Sequence, residues 1–309
     1  MPDHIRNKGA SLCLISAYFF QKLDGICRTH YVGVLEGERV KTLEELEAPS
    51  NTMEVKLVRV LRPESRDGKY DYTVFGRESF NFLIPLEIVY RNSLPPGSSV
   101  FKRLQSGETT YKQLGLNSYP RPGERLDRPI IDVSTKLEKH DRDLTWDEAR
   151  EIASLTEGEV EEINRLVLRI DSLITSEVSK AGLTNEDGKI ELAFDQGRGL
   201  MVVDAVGTPD ECRFTYDGVH VSKEIARVFY RGTSWFSEVE KAKNARGKMR
   251  ERDWKSLVKT APPALDPKLR DLISNLYMAC ANEITGRKWF DAPKLADLVG
   301  EYKMWRGGE

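Results

Sequence analysis

The sequence predicts an α+β fold of two lobes with a helical C-terminal extension. Three observations predict it. Strand-like runs dominate the chain before Ser93, helices mix with hairpins from there to Trp235, and beyond Trp235 the sequence is charged and of helical period. Strands first and helix mixed with hairpin afterwards is α+β order, not a regular alternation around a parallel sheet. The same shifts divide the chain into a small antiparallel sheet lobe (residues 1–92), a larger α+β lobe (93–235) and a helical extension packed on the second lobe (236–309).

Taken in order, Ala10 to Leu23 carries apolar residues at helical spacing and reads as a buried helix. Met53 to Leu61 (MEVKLVRVL) reads as a strand whose alternation slips at Leu57-Val58, so apolar side chains reach both faces. FLIPLEIVYRN, from Phe82, is a strand running into a turn. Prolines and glycines (LPPG, YPRPGE, DRP) then make Ser93 to Arg128 a long loop with room for one helical turn, a length that usually marks a functional or disordered segment. Thr145-Trp146-Asp147-Glu148 is a capping box. A longer helix starts near Glu157, its Val160, Ile163, Val167, Ile170, Ile174 and Val178 spaced by three and four, and Gly182 ends it. KIELAFDQGRGLMVVDAVG (189–207) reads as a β-hairpin and FTYDGVHV as a second turn between strands. A helix opens at Ser222 (SKEIARVFYRG), and two more are expected over Asp266–Thr285 and Ala292–Trp305.

The 309 residues suffice for one large or two ordinary domains, and 39% hydrophobic with 31% charged residues is the composition of a soluble globular protein. A net charge of −2 and a pI near 6.2 give no field steering the chain toward nucleic acid or anionic lipid. Four cysteines without a CxxC pair and four histidines (His4, His30, His140, His220) without HExxH spacing argue against a disulfide framework or a zinc site. Leu12 to Phe20 is too short to span a bilayer and lacks a cleavage pattern, so a cytoplasmic protein is predicted.

Four constellations could carry chemistry. With a turn at Gly197-Arg198, or a loop of Gln196 to Gly199, the 189–207 hairpin sets Glu191 opposite Asp204, with Lys189 two residues before the glutamate. Directly opposed like charges are destabilising. Either this is a solvated hairpin face, where repulsion costs little, or the two carboxylates share a divalent cation such as Mg²⁺. Ile190, Leu192, Phe194, Met201 and Val203 would bury the opposite face. Glu87 and Arg91, four apart in a strand, share a face as a surface pair or as part of a site. Ser98 in PPGSSVFKR, with Lys102 and Arg103 after it, belongs to a plain turn or to a phosphate cradle. Asp210 and Arg213 (TPDECR) precede Lys223 and Arg227 (SKEIAR). A lysine in a first helical turn opposes the macrodipole preference, which a surface tolerates and a phosphate-bearing ligand would suit. No Ser/His/Asp or Cys/His arrangement is present in the sequence.

In order along the chain, KG (Lys8-Gly9), IPLEIVYRN, GS followed by KR, STK…HD, DGKIE, an aspartate before TPD..R, and SKE..R resemble the SAICAR synthetase (phosphoribosylaminoimidazole-succinocarboxamide synthase) family from Lys8 to Arg227. No single motif is specific; their order carries the resemblance. It implies a two-lobed, kinase-like or ATP-grasp-like fold, with nucleotide between a small antiparallel sheet lobe and an α+β lobe. It also implies the ATP-dependent joining of a carboxyaminoimidazole ribonucleotide to L-aspartate in de novo purine synthesis, through an acyl phosphate. By the same resemblance Glu191 and Asp204 would hold Mg²⁺, and Lys189 would lie near the nucleotide phosphates. Glu87, Arg91, Ser98, Asp187, Asp210 and Arg213 would bind the ribonucleotide, and Lys223 and Arg227 would serve its 5′-phosphate side. Thr135 and Lys136, with His140-Asp141, fall in a family loop at the active site. The implied partners are small molecules, neither nucleic acid nor membrane, and the resemblance allows a homo-oligomer.

The sequence departs from the family pattern in three places. Family members carry, upstream of the KG motif, a glycine-bearing hairpin that covers the ATP phosphates. This sequence starts at MPDHIRNKG, so the first lobe is expected to be incomplete, leaving Val55 with Leu57, or Val58 with Val60, at an exposed edge. One extra residue precedes the GS, and another precedes TPD. A non-catalytic ligand-binding or assembly protein of the same fold is therefore the alternative. A small-molecule kinase is a weaker one, disfavoured by the Glu87/Arg91/Ser98/Arg213 set.

Overall fold

A computed structural model describes residues 3–77, 80–246 and 254–307. The chain opens with α1 (Lys8–Lys22), followed by β1 (Arg28–Thr29), β2 (Tyr31–Glu36), β3 (Arg39–Lys41), β4 (Met53–Val55), β5 (Glu64–Arg66), β6 (Lys69–Asp71), α2 (Thr73–Arg77), β7 (Phe82–Leu83) and β8 (Leu86–Ser93). Next come α3 (Ser99–Ser106), β9 (Arg125–Thr135), β10 (Asp143–Leu144), α4 (Trp146–Ile152), α5 (Glu157–Ser179), β11 (Thr184–Phe194), β12 (Leu200–Val203), β13 (Cys212–Tyr216), β14 (Val219–His220) and α6 (Glu224–Arg231). The last helices are α7 (Ser234–Arg246), α8 (Pro267–Thr285) and α9 (Leu295–Gly307). The architecture is α+β: one mixed sheet in the order β1-β12-β11-β8-β9-β10, with β13 and β7 also on β11, beside small antiparallel sheets β3-β2-β4 and β5-β6.

The helix starts follow local chemistry. Thr145 accepts from the Glu148 amide and closes the expected capping box, and Thr156 with Glu159 forms a second one before α5. The apolar stripe of α5 packs Ile163, Val167, Ile170, Ile174 and Val178 into the core, each fully buried, and Gly182 in a left-handed conformation (φ 72) follows its end. Each such side chain contributes about 1.5–3 kcal/mol relative to exposure.

Three sequence expectations change. The run from Met53 is a strand only to Val55, because its partner β2 begins at Tyr31; the rest of the run meets the sheet through an isolated bridge from Arg59 to Phe82. Neither expected pair is exposed as a unit: Leu57 (86%) and Val60 (47%) face solvent, while Val55 and Val58 are half-buried. In the loop after Ser93, α3 runs for eight residues, started beside Gly97 (φ 84) and stopped at Gly107 (φ 78).

The third change is the hairpin register. Glu191 pairs with Val203, not with Asp204. The connection is a three-residue loop, closed by Asp195 N–H to the Gly199 carbonyl (2.9 Å), with Arg198 left-handed (φ 59). A two- or four-residue loop keeps one parity and a three-residue loop the other, and a one-residue slip moves every side chain of a strand to the other face. Leu200 and Val202 therefore join Leu192 and Phe194 in the main core, while Met201 and Val203 lie on the other face with Leu83 and Ala193.

Strand alternation fixes the rest. On β8 and β11, Ile88, Tyr90, Ile190 and Leu192 are fully buried in the core. Gly188, paired with Tyr90, is required there: a Cβ would stand 2.2 Å from the tyrosine hydroxyl. The alternate residues of these strands carry the charges.

Candidate active site

Consecutive odd-numbered positions put Glu87, Val89 and Arg91 of β8 and Asp187, Lys189 and Glu191 of β11 on one face of the central sheet. Register aligns them: Arg91 is opposite Asp187, which is opposite Arg213 on β13, and Lys189 is opposite Val89. Asp132 of β9 pairs with Val89 on that same face.

At one end of the face stands a lysine–carboxylate cluster. Lys189 Nζ lies 2.7 Å from Glu191 Oε1, 3.2 Å from Glu87 Oε1 and 3.1 Å from Glu211 Oε2. Lys136 Nζ reaches the same Glu191 oxygen at 2.5 Å. Burial pulls the Lys189 ammonium down, but its bond to Glu191 and the charges of Glu191, Glu211 and Glu87 hold it well above the usual lysine range. Burial raises the Glu191 carboxyl, and its bonds to Lys136 and Lys189 more than offset that, so it stays ionised.

Asp204 joins this cluster in spite of the register. It leaves the end of β12 in a left-handed conformation (φ 65), with its carbonyl bonded to the His30 ring (3.2 Å). Three residues on, Gly207 (φ 68) lies where a Cβ would stand 2.1 Å from the Phe19 ring, so the segment is seated on α1. The Asp204 carboxyl is raised by the protein around it and by the charges of Glu191 and Glu211, against the pull of Lys189 and Lys136, although the residue remains open to solvent. Among the described residues no group of three or more His, Cys, Asp or Glu is arranged to hold a metal ion.

At the other end stands an arginine–aspartate cluster. Arg213 grips Asp187 with two nitrogens, one at 2.8 Å, and Arg91 Nη1 lies 3.4 Å from the same carboxylate. Arg91 Nε and Arg103 Nη2 both donate to Asp132 Oδ2 at 2.7 Å. Asp132, raised by burial, is brought below the usual carboxylate range by these two guanidinium groups. Ser98 sits just before α3, 2% exposed, and its Oγ has no hydrogen-bond partner among the described residues. Asp210 is bonded to Lys8 (2.6 Å), and Lys223 N–H bonds the Pro209 carbonyl (3.2 Å), which brings the start of α6, with Arg227, to the same turn.

Thr135 is turned away from this face. It is fully buried, and its hydroxyl accepts from the Arg142 amide (3.0 Å), closing the 135–142 loop. Pockets of about 760 Å³, along residues 125–130, and about 580 Å³, behind Arg103 and Asp132, touch none of the other candidates.

The sequence model of the SAICAR synthetase family matches residues 1–245. The chain belongs to the SAICAR synthetase family. A relative from Archaeoglobus fulgidus is 51% identical over 98% of this chain and 88% of its own length. The phosphoribosylaminoimidazole-succinocarboxamide synthase of Thermoplasma acidophilum is 35% identical over 94% and 89%. Among solved structures, the SAICAR synthase of Saccharomyces cerevisiae in complex with SAICAR shares the fold at a TM-score of 0.61 and 19% identity, covering 94% of this chain and 85% of its own. A SAICAR synthetase in complex with ADP does so at 0.56 and 18%, covering 95% and 85%.

Within this SAICAR synthetase fold, motif reading missed Asp132, Glu211 and the role of Lys8. Asp132 had a signal, an acid inside the apolar strand IIDV, and Glu211 had another, its place beside Asp210. Lys8 was visible only as half of the KG motif.

Proposed function

We propose that this chain joins a carboxyaminoimidazole ribonucleotide to L-aspartate, driven by ATP, the reaction of the family to which it belongs. Family membership, with 51% identity over nearly the whole chain, supports the enzyme over a non-catalytic descendant or a small-molecule kinase. The observation that carries the reading is the single sheet face on which Glu87, Lys189 and Glu191 stand in register with Arg91, Asp187 and Arg213.

A carboxylate does not react with an amine until one of its oxygens becomes a leaving group. The γ-phosphoryl group of ATP passes to a carboxylate oxygen of the ribonucleotide and ADP departs. The aspartate amine then attacks the acyl carbon, the C–O bond to phosphate breaks, and the new amide nitrogen gives up a proton. No protein nucleophile is needed; positioning and charge neutralisation carry such a transfer. Lys189 and Lys136 are point charges with rotatable donors, able to move from Glu191 to phosphate oxygens. Arg91 and Arg213 offer planar forks, held by Asp187, to the ribonucleotide's anionic groups. Ser98 Oγ and the amides opening α3 add donors. Met201, Val203, Ala193 and Leu83 give an apolar floor beside the lysine end for a nucleotide base.

Mg²⁺ fits Glu191 and Asp204: both are hard oxygen donors, and Asp204 is raised by burial and then by its acidic neighbours. When bound it would neutralise charge on the nucleotide phosphates. All substrates are charged and water-soluble, and the proposed place of action is the cytoplasm. The test is product formation by the purified chain, followed by mass spectrometry. Succinocarboxamide should appear only with ribonucleotide, aspartate and ATP together; ATP turnover without it would refute the assignment.

A further inference from the structure

Asp210 is held from two sides by groups outside the constellation that marks the site. Lys8 Nζ lies 2.6 Å from Oδ2, and Tyr277 Oη donates to Oδ1 at 2.6 Å. The Lys8 ammonium also stands over the Tyr277 ring, 5.1 Å from its centroid, so the three groups close a triangle. Tyr277 comes from α8, beyond residue 245 where the family match ends, and is 3% exposed.

Local helical geometry puts it there. Ser274, Tyr277 and Met278 stand at i, i+3 and i+4, hence on one side of α8. Ser274 Oγ donates to the Arg6 carbonyl (2.7 Å), and Asn7 Nδ2 donates to Met278 Sδ (3.2 Å). These bonds tie the entry to α1, and Lys8 with it, against α8. The backbone of Asp210 is fixed as well: the Glu211 and Cys212 amides bond the Thr208 carbonyl at 3.0 and 2.8 Å. Burial and the Asp210 charge push the Tyr277 hydroxyl well above its ordinary range, so it remains a proton donor wherever the enzyme works.

A carboxylate oxygen can accept two hydrogen bonds. With one bond made at each oxygen, the lone pairs left on Asp210 point in fixed directions, and Lys8 cancels a charge that would otherwise repel a phosphorylated ligand. We propose that Tyr277 is a positioning residue for the ribonucleotide: through Oη it orients Asp210 so that the remaining lone pairs receive hydroxyl or amine hydrogens of that ligand. The proposal rests on reading Asp210 as a ribonucleotide contact. It makes α8, in the C-terminal extension, part of the substrate site.

Tyr277→Phe keeps the ring, its burial and the Lys8 contact, and removes only the donor. The variant should raise KM for the ribonucleotide about tenfold, as expected for one hydrogen bond to a charged group, with kcat and KM for ATP within about twofold. Asp210→Asn, measured in parallel, should raise the same KM at least as much, and the double variant should be no worse than Asp210→Asn alone. If Asp210→Asn raises this KM and Tyr277→Phe does not, Tyr277 only packs and the proposal falls. If Asp210→Asn leaves it unchanged, the reading of Asp210 itself is wrong and the proposal falls with it. A lowered Tm with equal loss of affinity for ribonucleotide and ATP would show a folding role alone and would also overturn it.

Discussion

The two ends of the charged sheet face are built on opposite principles. At one end two lysines serve four carboxylates: Glu87, Glu191, Glu211 and the nearby Asp204. At the other, three arginines share two buried aspartates, Asp132 and Asp187, with Asp143 only at the margin of Arg103, 3.9 Å away. The lysine end is short of positive charge and suits a cation with its phosphates. The arginine end has positive charge to spare and suits an anion. Lysine is a mobile point charge and arginine a rigid fork, so one end is equipped for a group in transfer and the other for a substrate held still. On the proposed reading, the difference teaches how one sheet face would separate two ligands by the ratio and kind of its charges, without a wall between them.

The comparison can be broken most severely at Asp187. It is 5% exposed and bonded to both Arg91 and Arg213, so Asp187→Ala leaves guanidinium groups unpaired and should cost about 3–5 kcal/mol of stability, read by denaturant melts, along with ribonucleotide binding. A loss below about 1 kcal/mol would mean that the arginine end is not a buried network.

Asp204→Asn acts at the other end. It should lower kcat by about 10²–10³ and abolish Mg²⁺-dependent nucleotide binding while the fold survives. Stability should move the other way. A carboxyl raised in the folded state opposes folding at neutral pH, and that penalty fades as pH falls through its raised range. The variant should therefore melt slightly above the parent at neutral pH, with the gap closing on acidification. Glu191 and Asp132, held below the ordinary range, contribute the opposite slope: their stability is present at neutral pH and lost as pH falls through their lowered range. A variant that gains stability steadily toward low pH would contradict these signs.

Arg213→Met sharpens the contrast with a smaller effect, at least a tenfold rise in ribonucleotide KM with ATP nearly unaffected. Ser98→Ala is smaller still. Its Oγ has no partner to lose among the described residues, so stability should hold while ribonucleotide affinity falls roughly two- to tenfold, as titration calorimetry would show.

What could be read from the sequence was what local chemistry writes. The Thr145 capping box, the α5 stripe and the charged alternation of LEIVYRN each depend on neighbours a few residues away. The hairpin parity was hidden because it turns on Arg198, a non-glycine residue adopting a left-handed conformation between two glycines. Asp204 reaches the cluster because it is itself left-handed (φ 65), which offsets the shift in hairpin register. Asp132 meets Arg91 across 41 residues and Tyr277 meets Asp210 across 67, distances over which spacing carries no signal.

Equilibrium binding of each ligand separately to the parent, Asp204→Asn and Arg213→Met tests the division of the face most directly. Asp204→Asn should lose Mg²⁺-dependent nucleotide binding and keep ribonucleotide affinity, and Arg213→Met should do the reverse. If either folded variant loses both ligands equally, the two ends are not separate sites and the account is wrong.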